Sequence, residues 1–267
     1  MDWKRFFDRL GLNGTRWQWR IMRWERNFKD LRHGRLDTSG GAPVTSTLIF
    51  LNLLFFTLMI FQGVASGQGM GVLLNPDTYL LVHAGGQYWP LVFHGQWWRC
   101  ITYAFTHGGL IHIGFNMVVL YQIGPLVEAE IGPAPYLVLY TATALTATLL
   151  GLYWHPMVVV IGASGALFGL IGFAVSYYHR IGGPMAISQR NFMFRWAVYA
   201  FVFGLLIGAD NAGHLGGALG GAALGLVMPL SLRRHRAVAQ IFNLLGLACA
   251  VLIVISLGML VMSWFTA

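Results

Sequence analysis

Charged side chains are scarce in this 267-residue chain: Asp, Glu, Lys and Arg make up 10% of it, whereas hydrophobic residues make up 57%. In soluble domains about a quarter of the residues are charged. The low charge of this chain and its mean hydropathy of +0.63 therefore exclude a soluble domain. A helix crosses a bilayer core with about 20 apolar residues. We therefore predict an all-α, polytopic membrane helix bundle, with spans at approximately 45–63, 110–128, 133–151, 162–179, 192–209, 212–230 and 241–265.

Lysine, cysteine and acidic residues are also few, and each scarcity argues against a class of protein. Both lysines, Lys4 and Lys29, precede every span, so no retinal-type Schiff base is possible. The two cysteines, Cys100 and Cys249, are too few for a disulfide framework or a metal cage, and we expect no cofactor and no metal. A proton- or ion-coupled solute transporter needs a carboxylate or lysine at mid-membrane and usually an internal repeat. Neither is evident, and only four acids follow residue 43: Asp77, Glu128, Glu130 and Asp210.

The formal net charge of +8 comes mostly from the N-terminal arm and from the loop before the last span. The positive-inside rule places the arm, Arg180, Arg190 and the basic run 233–236 in the cytoplasm and leaves Arg99 outside. We therefore predict a cytoplasmic N-terminus, an external C-terminus and no nucleic-acid partner. Because the arm has no apolar h-region and is too acidic for a mitochondrial presequence, we expect a prokaryotic plasma membrane.

Residues 16–31 of the arm show two faces at helical spacing. Such a pattern is typical of an interfacial helix on an anionic cytoplasmic leaflet, although a small soluble helical domain or a partner-binding helix stays open. The apolar face comprises Trp17, Ile21, Trp24, Phe28 and Leu31, and the basic face Arg16, Arg20, Arg23, Arg26 and Lys29.

A long, nearly uncharged connection, residues 64–109, follows the first span. Loops longer than about 15 residues usually have a function. Its tryptophans Trp89, Trp97 and Trp98 are of the type found at membrane interfaces. We expect this loop to lie partly in the outer leaflet.

Four polar residues fall at one depth when the spans are threaded alternately through the bilayer. The second, fourth and sixth spans run inward, which places His112 and Asn116, Ser164, and His214 near their outer ends. Polar residues inside a bilayer mark functional sites. The sequence Gly162-Ala163-Ser164-Gly165 alone would be typical of helix packing, but the common depth favours a site. Glycines spaced by four, Gly213 to Gly225 on the sixth span and Gly165 and Gly169 on the fourth, would let these helices approach closely.

This set of residues is suited to nucleophilic catalysis. A serine hydroxyl needs a base within hydrogen-bonding distance, and His214 is the candidate for Ser164. His112, Asn116 and the backbone N–H groups around Gly162, Ala163 and Ser164 could stabilise an oxyanion. We expect a Ser-His dyad without an acid to orient the His. Of the four acids after residue 43, three fall in loops or at inner ends of spans, and Asp210, four residues before His214 and near the outer surface, is the exception.

Together these motifs resemble the rhomboid family of intramembrane serine proteases over roughly residues 44–230. The matching pieces are Gly162–Gly165, "GHLGGALGG" around His214, "HGGLIHIGFN" with His112 and Asn116, Trp98-Arg99, and Gly124 to Glu128. Together with the charge pattern, the resemblance gives the expected organisation: a cytoplasmic basic amphipathic arm (1–43), a six-helix rhomboid-like protease core (44–230), and a basic loop with a seventh transmembrane helix (231–267).

The resemblance also implies roles. Ser164 would be the nucleophile and His214 the base, with His112, Asn116, Gly162 and Ala163 at the oxyanion, no cofactor, and transmembrane proteins as substrates. Trp98-Arg99 would hold the outer loop, Glu128 would brace the inner end, and His107 would be structural or water-related. Gly213 stands where the family usually has Ala, which should loosen the local helix without removing the chemistry.

Other hydrolases and a non-catalytic relative were also considered. No "HExxH" motif of a metalloprotease occurs, and position 166 is Ala rather than the second Gly of a soluble Gly-x-Ser-x-Gly elbow. A rhomboid-like pseudoprotease that binds membrane clients, which typically lacks the Ser or the His, is the main alternative, and a small-solute transporter is a less favoured one.

Overall fold

The computed structural model describes residues 41–207, 210–230 and 232–266. The predicted arm helix at 16–31 lies outside them. The helices, numbered along the chain, are α1 (Pro43–Ala65), α2 (Thr78–His83), α3 (Trp89–Phe93), α4 (Arg99–Thr102), α5 (Leu110–Ile131), α6 (Pro133–Trp154), α7 (Ser164–Ile181), α8 (Gly183–Ile207), α9 (Asn211–Val227) and α10 (Leu232–Thr266). Short 3-10 turns occupy Gly69–Leu73 and Tyr103–Phe105. Within these ranges there is no β-strand, and the only β-type pairing is an isolated antiparallel bridge between Gln87 and Val160. The all-α prediction is therefore confirmed.

Each predicted span coincides with one of the long helices. In the part of the chain that the structure describes, four segments are long and apolar enough to cross a membrane: α1, α5, α6 and Ala237–Thr266 of α10. The helices α7 and α9 are shorter, with 18 and 17 residues. Helix α8 begins at Gly183, nine positions before the predicted start at 192. The prediction placed the start too late because the polar residues 188–191 interrupt the apolar pattern, although they do not interrupt the helix.

Helices α9 and α7 form the centre of the bundle. Helix α9 packs on α7 and α6, α8 packs on α7, and α1 packs on α5. At the far end of the central pair, the guanidinium of Arg180 donates from Nη1 to the carbonyl oxygens of Gly225 (2.7 Å) and Met228 (2.8 Å). These bonds satisfy carbonyl groups that the end of a helix leaves unpaired, and they tie α7 to α9.

Glu128, near the end of α5, holds the start of α1. Its carboxylate accepts hydrogen bonds from the backbone N–H groups of Val44 (2.9 Å) and Thr45 (2.8 Å) and from the Thr45 hydroxyl (2.8 Å). A negative charge at a helix N-terminus is favourable. Gly124, one turn earlier, leaves room for Thr45, since a methyl carbon there would lie 2.7 Å from its Cγ2. The Gly124 to Glu128 motif is therefore a helix-to-helix brace.

The connection between α1 and α5 is built around Arg99. This buried guanidinium donates to the carbonyl oxygens of Val82 (2.5 Å) and Gly86 (2.8 Å) and to Oε1 of Gln96 (2.6 Å). Burial lowers its pKa to about 10. It also lies 4.6 Å from the centre of the Trp98 ring. The pair Trp98-Arg99 thus joins separate parts of the loop.

Two of the three loop tryptophans that were expected at a membrane interface are buried within the protein, and the expected position of the loop in the outer leaflet stays a prediction. Trp89 and Trp98 are 6% and 3% exposed, whereas Trp97 is 43% exposed. The loop folds into short helices of its own and buries two of its three indole side chains. The local sequence pattern does not distinguish a buried indole from one that faces the membrane.

The C-terminal helix α10 packs against α6 and α4. Near its end, the indole Nε1 of Trp264 donates to the carbonyl oxygen of His83 (2.9 Å), and its ring lies 6.4 Å from that of His83. The seventh predicted span therefore contacts the connection between α1 and α5 as well as the bundle. The proposed boundary between a core and a seventh helix stays a prediction.

Candidate active site

Ser164 is the first residue of α7. The chain before it is held by two backbone hydrogen bonds between Val160 and Gln87 (2.8 and 2.9 Å) and by one from Gly162 N–H to the Tyr103 carbonyl (2.9 Å). Gly162 has a φ of +105°, a conformation that side chains rarely adopt, and the chain turns there into the helix. The first N–H groups of a helix have no partner within it, so the N–H groups at the start of α7, including that of Ser164 itself, have no partner within α7.

His214, in the first turn of α9, contacts this serine. Its Nε2 lies 2.8 Å from the Ser164 Oγ. The Phe168 ring, one turn after Ser164, stacks on the imidazole with ring centres 4.3 Å apart and planes at 21°. His214 is only 6% exposed, so the protein and not the solvent fixes its orientation.

Three glycines of α9, the glycine ridge, make this contact possible. A methyl group on any of them would overlap a carbonyl oxygen of α7: Gly217 faces Gly165, Gly221 faces Gly169, and Gly225 faces Phe173. Reciprocally, Gly172 of α7 faces the carbonyl of Ala218. Gly213, which the spacing places on the same ridge, instead faces the side chain of Asp210. The predicted close packing of the two helices is confirmed, but not for every predicted glycine: besides Gly213, Gly165 and Gly169 of α7 would direct a methyl group at Ala147 and Thr143 of α6 and contribute only their carbonyl groups to the contact with α9.

Asp210 is the N-cap of α9 and does not hydrogen-bond the His214 side chain. Its Oδ1 accepts from the Gly213 N–H (2.9 Å) and from Nε2 of His155 (2.7 Å). Since a carboxylate only accepts, His155 is the donor. A methyl carbon on Gly213 would lie 2.5 Å from Oδ2 of Asp210. Glycine at this position therefore leaves room for the carboxylate.

His112, in the first turn of α5, faces Gly162 across the site. The Gly108 N–H donates to its Nδ1 (3.2 Å), so the neutral ring carries its proton on Nε2. A methyl carbon on Gly162 would lie 2.8 Å from that Nε2, which places this donor next to the turn before Ser164. Asn116 is buried and donates from Nδ2 to the His112 carbonyl (2.9 Å).

His107 lies behind His112, with ring centres 5.2 Å apart. It is fully buried. Burial, with a smaller contribution from His112, holds its pKa well below the ordinary value of 6.5. The neutral His107 ring therefore packs against the ring of His112.

A cavity of about 1090 Å³ opens over Ser164. Residues 158–161 form an apolar wall, and Phe201 and Leu215 also line it, whereas its polar lining includes His112, His155 and Asp210. Below it, a cavity of about 20 Å³ reaches between Ser164, Asn116 and His214. Nearby, Phe115 of α5 and Phe203 of α8 stack with ring centres 4.0 Å apart. The serine is thus accessible from one end of the bundle.

Sequence reasoning missed three residues that shape the site. Phe168 could have been found, because a residue four positions after Ser164 shares its helix face. His155 is 55 residues from Asp210, and only the tertiary structure brings them together. Gly108 is four residues before His112, so that contact is local and depends on how the chain enters α5.

Comparison with known proteins agrees with this architecture. A family model described as "Rhomboid domain" matches residues 94–231. The chain is 31% identical over 201 residues to rhomboid protease GluP of Bacillus subtilis, covering 70% of this chain and 36% of the relative. It is 31% identical over 210 residues to rhomboid-like protease 1 of Toxoplasma gondii, covering 72% of each. It is 25% identical over 213 residues to rhomboid protease AarA of Providencia stuartii, covering 70% and 73%.

The chain therefore spans about a third of the length of the Bacillus relative and nearly three quarters of the other two. The family match includes the helices that carry His112, Ser164 and His214. This chain, an integral membrane protein, belongs to the rhomboid family of intramembrane serine proteases.

Proposed function

We propose that this protein hydrolyses peptide bonds in or beside transmembrane segments of other membrane proteins, with Ser164 as nucleophile and His214 as base. The observation that carries the proposal is the 2.8 Å contact between Ser164 Oγ and His214 Nε2. A hydroxyl is a weak nucleophile unless an adjacent base takes its proton. The ring of Phe168 and the burial of His214 keep that base in place.

The reaction has two halves. Oγ of Ser164 attacks the carbonyl carbon while its proton passes to Nε2 of His214. The C–N bond of the tetrahedral intermediate then breaks, and the leaving amine takes the proton from Nε2. A water entering from the cavity attacks the acyl ester with His214 again as base, which releases the acid and restores the serine.

The oxyanion of each intermediate needs preorganised donors. The Nε2–H of His112 and the backbone N–H groups around Ala163 and Ser164 are the nearest set, and the buried amide of Asn116 can add a further donor. Removal of one such donor typically costs about 10²- to 10³-fold in kcat. No step requires a cofactor.

Cleavage of a model transmembrane substrate by the purified protein in detergent tests the dyad. Ser164→Ala and His214→Ala should each abolish turnover and leave the thermal unfolding temperature unchanged. Ser263→Ala and His94→Ala are matched controls away from the site and should cleave normally. Undiminished cleavage by Ser164→Ala would refute the mechanism.

A pseudoprotease that only binds membrane clients is the alternative. The presence of both Ser164 and His214, and their contact, favour an active enzyme. A serine-directed fluorophosphonate probe separates the two functions, since an activated hydroxyl forms an adduct at Ser164 and an inert one does not. Absence of an adduct in folded protein would favour the pseudoprotease.

The orientation in the membrane is part of the proposal. Ser164, His112 and His214 each lie in the first turn of a long helix, and we assign that end of the bundle to the outer leaflet, with the N-terminus in the cytoplasm. The basic arm would then meet an anionic cytoplasmic leaflet. A C-terminal epitope accessible only from outside intact spheroplasts would support this orientation, and one accessible only after lysis would reverse it.

A further inference from the structure

Two buried polar atoms beside the dyad have no hydrogen-bond partner among the described residues. They are Nδ1 of His214 and Oδ2 of Asp210. When the Ser164 hydroxyl donates to Nε2, a neutral His214 carries its proton on Nδ1, so one atom is a donor and the other an acceptor. An unpaired buried polar group is costly.

These two residues are neighbours at the start of α9. They are four positions apart, and the His214 N–H donates to the Asp210 carbonyl oxygen (3.1 Å). Side chains in a helix lean towards its N-terminus, so residues at this spacing share a face. Asp210, Gly213 and His214 line one small cavity together with Ser164 and Tyr103.

This cavity has a volume of about 10 Å³, close to the minimum that one water molecule needs. A buried water typically makes about three hydrogen bonds. Here it could accept from Nδ1–H of His214 and donate to Oδ2 of Asp210. The phenol of Tyr103, whose own hydrogen goes to the Ala144 carbonyl (2.8 Å), offers a second acceptor.

The Asp210 carboxylate is held in place by its other oxygen. His155 and the Gly213 N–H both donate to Oδ1, which leaves Oδ2 for the cavity. A methyl group on Gly213 would crowd Oδ2. The arrangement is therefore built to keep one carboxylate oxygen next to the base.

We propose that a single water links Asp210 to His214, which makes Asp210 a positioning residue for the dyad. The bridge holds His214 in the tautomer whose Nε2 accepts the Ser164 proton. When that proton arrives, the carboxylate stabilises the imidazolium through the water and does not itself take the proton. His155 acts one step further out, by holding Asp210. This inference rests on the proposed Ser-His mechanism.

Asp210→Asn isolates the bridge. The amide oxygen can still cap α9 and accept from His155, since Asn is as good an N-cap as Asp, but an NH2 group replaces Oδ2. Asp210→Ser retains only the cap. Both variants should lower kcat about 10- to 100-fold, as expected for a lost hydrogen bond to a charged group. KM of Asp210→Asn should change by less than about twofold, because an amide has nearly the same size and shape as the carboxylate that lines the cavity over Ser164.

Asp77→Asn is the matched control. Asp77 caps α2 in the same way, with Oδ1 accepting from the Leu80 N–H (2.7 Å), and it does not line the site. This variant should keep wild-type kcat. In Asp210→Asn, the rate of fluorophosphonate labelling at Ser164 should fall by the same factor as kcat. The thermal unfolding temperature of Asp210→Asn should match that of Asp77→Asn.

Wild-type kcat in Asp210→Asn would overturn the bridge. So would a loss of kcat that accompanies a fall in unfolding temperature, or an equal loss in Asp77→Asn, since either makes Asp210 a structural cap only. Ser164→Ala in the same assay separates the two proposals. Cleavage by Ser164→Ala refutes the proposed function, whereas its inactivity together with full activity of Asp210→Asn refutes the bridge alone.

Discussion

One methyl group should push apart the helices that carry Ser164 and His214. At Gly225, where the overlap with the α7 backbone is smallest in the glycine ridge, a methyl carbon would lie 2.5 Å from the Phe173 carbonyl oxygen, and ordinary contact begins at 3.4 Å. The backbones must then separate by at least the difference, 0.9 Å. At Gly217 the overlap with the Gly165 carbonyl is deeper, so Gly217→Ala requires a larger movement.

Gly217 is three residues from His214, less than one turn along α9. A separation of 0.9 Å added to the 2.8 Å Ser164–His214 contact gives about 3.7 Å, beyond the range of a hydrogen bond. A misplacement of about 1 Å can cost roughly 10²-fold in rate, so we expect kcat/KM to fall about 100-fold. Overpacking should also lower the free energy of unfolding by about 1–3 kcal/mol.

Cleavage kinetics and thermal unfolding, measured on the same preparation, separate these two effects. Gly221→Ala creates the same kind of overlap one turn further from His214, so it should destabilise the fold similarly and lose less activity. Gly258→Ala, at a helical glycine with no atom within 4 Å of the added methyl group, should be neutral in both assays. Wild-type kcat/KM in Gly217→Ala would refute the reasoning that the glycine ridge sets the Ser–His distance.

Contacts away from the dyad can be tested in the same way. Glu128→Gln turns an acceptor into a donor at the start of α1 and should lower the free energy of unfolding by about 1–3 kcal/mol, while Glu130→Gln, at an exposed position, should not; equal effects would contradict the brace. Trp264→Phe removes the hydrogen bond to the His83 carbonyl and should cost about 1 kcal/mol in chemical unfolding, and no change would mean that this bond is not stabilising. Burial holds the pKa of His107 in the folded protein well below 6.5. When the pH drops below 6.5, the unfolded chain therefore binds a proton at His107 and the folded protein does not. The free energy of unfolding should then decrease by about 1.4 kcal/mol for each unit by which the pH is lowered, until the pKa of the folded state is reached. His107→Gln should reduce the difference between unfolding free energies at about pH 7.5 and about pH 5.5, and an unchanged difference would contradict this assignment.

Much of the fold could be predicted from the sequence, because membrane-spanning helices are recognisable as long, continuous apolar segments. The limits of α5 and α6 follow from an apolar run and from the Gly132-Pro133 pair that ends one helix and begins the next. The start of α8 could not be predicted in this way, since polarity at 188–191 is compatible with a helix outside the apolar core. The burial of Trp89 and Trp98 was missed for a related reason, as an indole looks the same in sequence whether it faces lipid or protein.

The common depth of His112, Ser164 and His214 was also open to sequence reasoning, because alternate threading of helices through a bilayer leaves few choices. Spacing by four predicted the glycine contacts between α7 and α9. Spacing alone could not show that Gly213 faces Asp210 instead of α7, because that depends on the side chain of the N-cap curling back over the first turn of α9.

By itself, the sequence determined that this protein is an all-α membrane bundle of the rhomboid family, with a serine and a histidine at one depth. Hydrophobic length and motif order are local properties and can be read along the chain. The tertiary structure alone decided that His214 Nε2 meets Ser164 Oγ at 2.8 Å and that His155 holds Asp210 beside His214. Both are contacts between residues far apart in the sequence, on different helices and loops, and their distances depend on how backbones pack to within less than an ångström.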